Sequence, residues 1–188
     1  MKTLTGDEHF TSNGVPVNRL LNDFWSWQAS DLLNNSIRGA LAEYIVAISL
    51  GIDTNEARNV WNDHDLLYDN FNIEVKSSSF LQSWEKSKMS RIVFTIYESR
   101  PATASLWEND DIRRHSDLYV FCVFACQDRQ LADPLKLEQW VFYILKTSEL
   151  DAKVGHQKSI SLSSLLSIGA IKTDYDGLKD TVDSLLFA

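Results

Sequence analysis

No stretch of this chain approaches 18 consecutive apolar residues, and its N-terminus is polar, so neither a membrane-spanning helix nor a signal peptide is expected. Cysteine is nearly absent. Cys122 and Cys126 fall in one predicted strand, where four residues span about 13 Å, beyond the roughly 7 Å that a disulfide's Cα atoms allow. They are expected as small buried hydrophobes in a reducing cytoplasm. His9, His64, His115 and His156 are scattered, never at metal-ligand spacing with the cysteines. Gly-x-Ser-x-Gly, Gly-x-x-x-x-Gly-Lys and Gly-x-Gly-x-x-Gly are all missing, which disfavours a serine-hydrolase elbow, a P-loop and a Rossmann domain. An excess of basic residues is missing too. The formal net charge is −8, whereas a nucleic-acid partner usually leaves a basic footprint.

What is present fits one domain over residues 1–188, long enough for a sizeable core. Hydrophobic residues at 44% and charged residues at 23% are ordinary for a soluble globular protein, and 11% aromatics argue against disorder. The charge is uneven. From Lys76 to Arg114 there are seven Lys/Arg against five Asp/Glu, a local +2, so the remainder carries −10. A basic strip on an acidic body is compatible with nucleic-acid binding.

Residues 1–15 read as a loosely held arm. Val17 to Leu33 carries a helical stripe of Val17, Leu20, Leu21, Phe24, Trp25, Trp27 and Leu32. A second helix is predicted from Ile37 to Leu50, capped by Ser36 and closed by Gly51, with Ile37, Leu41, Tyr44, Ile45 and Ile48 as its apolar face. Glu43 lies on an alanine-lined flank with Ala40 and Ala47, an uncommon place for a carboxylate; the alternative is a half-exposed surface glutamate. Strands are predicted at Arg91–Ser99, Asp117–Ala125 and Gln139–Thr147. Pro101–Arg114 and Ser148–Ser159 read as polar and irregular. A serine-capped turn over Ser161–Ile168 and a short helix over Asp176–Leu186 complete an α/β pattern: a mixed central β-sheet flanked by helices.

The chemistry concentrates in residues 61–78. Two alternating runs flank Asp69-Asn70, a pair that tolerates the positive φ angles of a tight hairpin turn. Centring the turn there makes facing positions sum to 139 and sets Asp65 opposite Glu74. Lys76 then shares the face of Glu74, while Ile73 and Val75 point into a core, and His64 alternates away. Facing carboxylates repel, and a divalent cation removes that conflict, magnesium often being held by one or two carboxylates plus a substrate phosphate. A lysine beside such a site orients water or stabilises charge on a phosphate. The alternative is an exposed sheet face on which Glu74 and Lys76 merely meet solvent.

Asp65-x8-Glu74-x-Lys76 resembles the core motif of the PD-(D/E)XK nuclease superfamily, with His64 where that motif has proline. The resemblance covers roughly residues 36–147. It implies a restriction-endonuclease-like core and a magnesium-dependent (manganese possible) enzyme that hydrolyses DNA phosphodiesters, RNA not being excluded. Asp65 and Glu74 are then the metal ligands with the Val75 carbonyl, Glu43 completes the shell from the preceding helix, and Lys76 positions or helps to deprotonate water. Gln82 matches half of a Gln-x-x-x-Tyr motif found in RecB-like exonucleases, with Lys86 in place of tyrosine; a loop amide bonded to backbone is the alternative. Lys86, Lys88 and Arg91, opposed only by Glu85, are the phosphate-contact candidates, or else a solvated face. Cleavage of both strands of a duplex would favour a homodimer. A nuclease fold that has lost turnover and serves in binding or assembly is the rival expectation.

Overall fold

A computed structural model describes residues 3–58, 62–85, 87–100 and 112–187. The N-terminal segment is not a loose arm. Asn13 and Gly14 both adopt positive φ, 50° and 80°, and this Asn-Gly turn joins β1 (His9–Ser12) to β2 (Val15–Leu20) in an antiparallel pair. Val17 and Leu20, expected on a helix, therefore belong to a strand. The helix α1 runs only from Leu21 to Ala29, begun by the Asp23 carboxylate, which accepts the Leu20 N–H at 2.9 Å. It has no buried residue.

Helix α2 (Asn35–Leu50) is capped by Asn34, whose side chain accepts the Ser36 N–H, and Gly51 ends it in the left-handed region at φ 73°. The cap is thus Asn34 rather than Ser36. The buried face is also rotated from the one expected. Ala42, Glu43, Ile45, Val46, Ala47 and Leu50 are buried together with Arg38, whereas Tyr44 and Ile48 are exposed. Small residues let the helix lie close to the sheet, and that close approach outweighs the burial of two larger side chains.

Five strands form the central sheet in the order β3 (Leu66–Tyr68), β4 (Phe71–Ser79), β6 (Leu118–Phe124), β7 (Trp140–Lys146), β9 (Ile171–Thr173). β4 and β6 run parallel; the other neighbours are antiparallel, so the sheet is mixed. All seven residues of β6 are buried, as a central strand covered on both faces requires. On one face Ile73, Val75, Val120 and Phe142 pack against α2 and against Leu178 and Val182 of α5 (Leu178–Leu186). On the other, Tyr119, Phe121 and Val123 meet Ile92, Phe94 and Ile96 and the buried leucines of α3 (Thr147–Val154) and α4 (Leu162–Ser167). The chain is therefore mixed α/β. No helix among the described residues is long and apolar enough to cross a membrane.

Three segments differ from expectation. β4 continues through Ser79, where the sequence loses its alternation. The strand expected at Arg91–Ser99 shortens to β5 (Val93–Thr95) and pairs with β8 (Ser159–Ser161) in a separate two-stranded sheet. Thr147–Val154 is helical because fully buried Leu150 and partly buried Val154, one turn apart, give it an inner side. Residues 101–111 of the expected irregular segment lie outside those described.

The hairpin β3–β4 has the expected register. Leu66 pairs with Ile73, Leu67 with Asn72 and Tyr68 with Phe71, across a turn in which Asp69 and Asn70 have φ 45° and 70°. Tyr68 anchors it to α5 by donating to Asp183 at 2.8 Å, and Phe187 packs edge-on against Phe71. Replacing Asn70 with valine puts a β-branched residue into the left-handed region. Urea unfolding should show a loss of about 1–2 kcal/mol, whereas Asn70→Gly should be neutral or stabilising.

Candidate active site

Asp65 stands one residue before β3, where the register slips. Its N–H donates at 3.1 Å to the carbonyl of Ile73, the residue already paired with Leu66, so Asp65 is not set directly opposite Glu74 as the count to 139 expects. Its carboxylate then reaches across and accepts the Val75 N–H at 2.8 Å. That bond takes the place of the strand pairing which ends here, and it fixes the carboxylate over the open edge of β4. Ile73 and Val75 both turn backbone groups to this edge, and a strand residue's N–H and C=O point the same way, so the Val75 carbonyl faces it as well. The Val75 side chain goes to the core.

Glu74 and Lys76 lie on the opposite face of β4 from Val75, as the alternation predicts. Their parallel neighbours on β6 are Tyr119 and Phe121. The Lys76 ammonium donates to Glu74 Oε1, and Ser116 donates to Glu74 Oε2 at 3.2 Å. Asp65, Glu74 and Lys76 line one polar cavity of about 140 Å³, along with Asn62, Asp63 and Tyr97. His64 lines it too, bonded to Asp63 at 3.0 Å. The expectation that His64 faces away fails because residues 62–65 are bends rather than strand, so the two-residue period does not reach them.

Glu43 is buried, which overturns the surface-glutamate alternative. It lines an adjoining cavity of about 350 Å³ that shares Asn62 and Asp65 with the first. Arg58 grips it through Nε and Nη2. Asp65 thus stands between Glu43 on one side and the Glu74–Lys76 pair on the other.

The electrostatics of these groups have one origin. Burial raises the Glu74 carboxyl; Lys76 opposes the rise and Asp65 adds to it, leaving it above the usual glutamate value. Burial works against the Lys76 ammonium, yet Glu74 and Asp65 outweigh it and hold it above the usual lysine range. Glu43 is pushed up to about 7, first by burial and then by Asp65, against Arg58 and Lys76. Burial is the first cause of the rise at both Glu74 and Glu43, with Asp65 adding to each, whereas at Lys76 the neighbouring acids overcome burial.

Among the described residues, no three His, Cys, Asp or Glu side chains form a group that could hold a metal ion as they stand. The side chains explain why: Arg58 engages Glu43 and Lys76 engages Glu74. Two carboxylates and a backbone carbonyl nevertheless make a hard-oxygen set, the chemistry that suits magnesium with water completing its shell.

The remaining predicted residues divide. Gln82 is buried and its Nε2 donates to the Ser79 carbonyl at 3.1 Å, the backbone role weighed for it, while it also lines a third cavity beside Lys76 together with Arg91. Lys88 is exposed and does not line that cavity. Lys86 lies outside the described residues. The sequence reading passed over Ser116, Arg58 and Arg114. Ser116 gives no signal until the parallel pairing of β4 and β6 brings it to Glu74. Arg114 lines the first cavity but spends its guanidinium on the Ile96, Gly155 and Gln157 carbonyls and on Asp151, a structural use.

The raised Glu43 carboxyl has a thermodynamic consequence. In the folded chain it holds its proton up to about pH 7, whereas the unfolded chain releases it near 4.5. The folded state binds more protons between those values, so stability falls as pH rises from 4.5 to 7. Glu43→Gln should flatten that dependence by about 1–3 kcal/mol, read as the change in urea midpoint between pH 5 and pH 8.

Comparison of the chain with family models, with curated proteins and with solved structures finds no match.

Proposed function

We propose that this chain is a metal-dependent nuclease hydrolysing DNA phosphodiester bonds, built on a restriction-endonuclease-like core. One observation carries the reading: Asp65, Glu74 and Lys76 come together at the hairpin's open end and line one polar cavity, with Asp63 a further acid on its wall. A divalent cation held there would offset the repulsion between neighbouring carboxylates. In this reading Asp65, Glu74 and the Val75 carbonyl would hold magnesium, and Glu43, paired with Arg58 in this structure, would complete or adjust the shell. The ion, when bound, polarises the scissile phosphate and lowers the pKa of the attacking water. Lys76, which donates to Glu74 in this structure, would orient the attacking water and meet the charge growing on the phosphate. The exposed guanidinium of Arg91 and the ammonium of Lys88 supply phosphate contacts on the approach.

Asp65→Ala, Glu74→Ala and Lys76→Ala should each abolish magnesium-dependent cleavage of a plasmid or labelled duplex, with circular dichroism unchanged. Metal-dependent cleavage surviving in all three variants sinks the assignment.

The second reading is a binding or assembly protein on the same framework. The observation favouring it is that Glu43 and Glu74 are each already paired with a cation, in a chain of net charge −8. Calorimetric titration with Mg²⁺ or Mn²⁺ separates the two: the nuclease should bind metal with heat that vanishes in Asp65→Ala, and an inert module should give none.

A further inference from the structure

Arg38 is a buried guanidinium, 3% exposed, on the second turn of α2. It donates to the Leu33 carbonyl at 2.9 Å, to Asn35 Oδ1 at 2.7 Å, to Ser77 Oγ at 3.3 Å and to Gln82 Oε1 at 3.4 Å. Every acceptor is neutral. Among the described residues no carboxylate pairs with it, and burial alone draws its pKa down to about 10. The other buried arginine, Arg114, has Asp151 as its counter-charge. A buried cation without an anion is costly unless something supplies the charge.

The surroundings of Arg38 are shaped to supply it. Arg38 lines an open cavity of about 340 Å³ together with Asn35, Ser77, Gln82, Arg91 and Lys76. Its polar lining consists of guanidinium, ammonium, amide and hydroxyl groups, and no carboxylate is among them. It adjoins the candidate active site through Lys76 and Thr95, which line both. One side of Lys76 is therefore an acid-rich pocket suited to a cation, and the other a cationic pocket suited to an anion.

We infer that this second cavity binds a phosphate of the nucleic-acid strand next to the one being cleaved, with Arg38 and Arg91 as its anion-binding residues. Four of the five N–H groups of Arg38 are held by these neutral partners, so Arg38 contributes its uncompensated charge and one remaining N–H. The exposed guanidinium of Arg91 offers the planar fork that matches phosphate oxygens. Naming the strand as owner of the phosphate rests on the nuclease reading; the affinity for an anion does not. The phosphate is either the terminal group of a strand end or an internal diester, and the two are separable.

The test uses the whole chain in EDTA. Inorganic phosphate, compared with chloride at equal ionic strength, should raise the melting temperature by about 3–5 °C at ten times its dissociation constant. Arg38→Gln should lose that rise. Arg91→Gln, an exposed position whose substitution leaves the core intact, should diminish it. Fluorescence anisotropy with a labelled oligonucleotide should show each variant's salt slope shallower by about one. A defect confined to 5′-phosphorylated oligonucleotides assigns the cavity to a strand end, and an equal defect without that group assigns it to an internal diester. Cleavage by the wild-type chain with no phosphate effect and unchanged slopes overturns the anion site and leaves the nuclease reading standing. Phosphate stabilisation without oligonucleotide binding or cleavage removes the strand as its owner and the nuclease reading with it.

Discussion

The register of a single hairpin decides where everything else at the site can be. Two left-handed residues at Asp69 and Asn70 admit one pairing of β3 with β4, and a slip of one residue would turn Glu74 and Lys76 into the core and expose Ile73 and Val75. The apolar core that Ile73 and Val75 enter, with Val120 and Phe142 among its members, makes the slip prohibitive. The Asp65 carboxylate then replaces the missing next rung by accepting the Val75 N–H. A candidate site acid is thereby held by the same backbone bond that finishes the hairpin.

Helix α2 supplies the site from the other side. Arg38 and Glu43 are five residues apart, about 7.5 Å along the axis, and reach different cavities flanking β4. The helix accepts two buried charges in place of burying Tyr44 and Ile48. Natural sequences depart from the simplest hydrophobic pattern chiefly where function demands it, and this helix does so twice within two turns.

Much of this was legible in the sequence, and unevenly. The hairpin, the central strands β6 and β7, the Gly51 cap and the C-terminal helix follow from local patterns whose physics is short-ranged. The shared face of Glu74 and Lys76 follows from counting along β4, whereas Asp65 joins them in one cavity from a bend outside the ladder. What failed depended on partners distant in the chain. Apolar size alone selects the wrong face of α2, because the sheet surface it must match is specified elsewhere. Ser116 reaches Glu74 only through a parallel pairing, and such pairings carry no turn that fixes their register. The salt bridge from Arg58 to Glu43 spans 15 residues, and the stretch after α2 ends at Leu50 is irregular, so no periodicity describes it. His64 failed for the converse reason: an alternation was extended beyond the strand that sustains it.

The central sheet ends on both sides in strands of three residues, β3 and β9, while the strands between them have seven to nine. An unpaired rim is where a foreign chain adds itself to a fold, and each added rung needs free backbone in line. Rims this short give an intruder almost nothing to zip along. β3 covers only Phe71–Ile73 of β4, and just beyond it the Asp65 carboxylate takes the Val75 N–H that an added strand would need, so a side chain blunts the rim where the ladder stops.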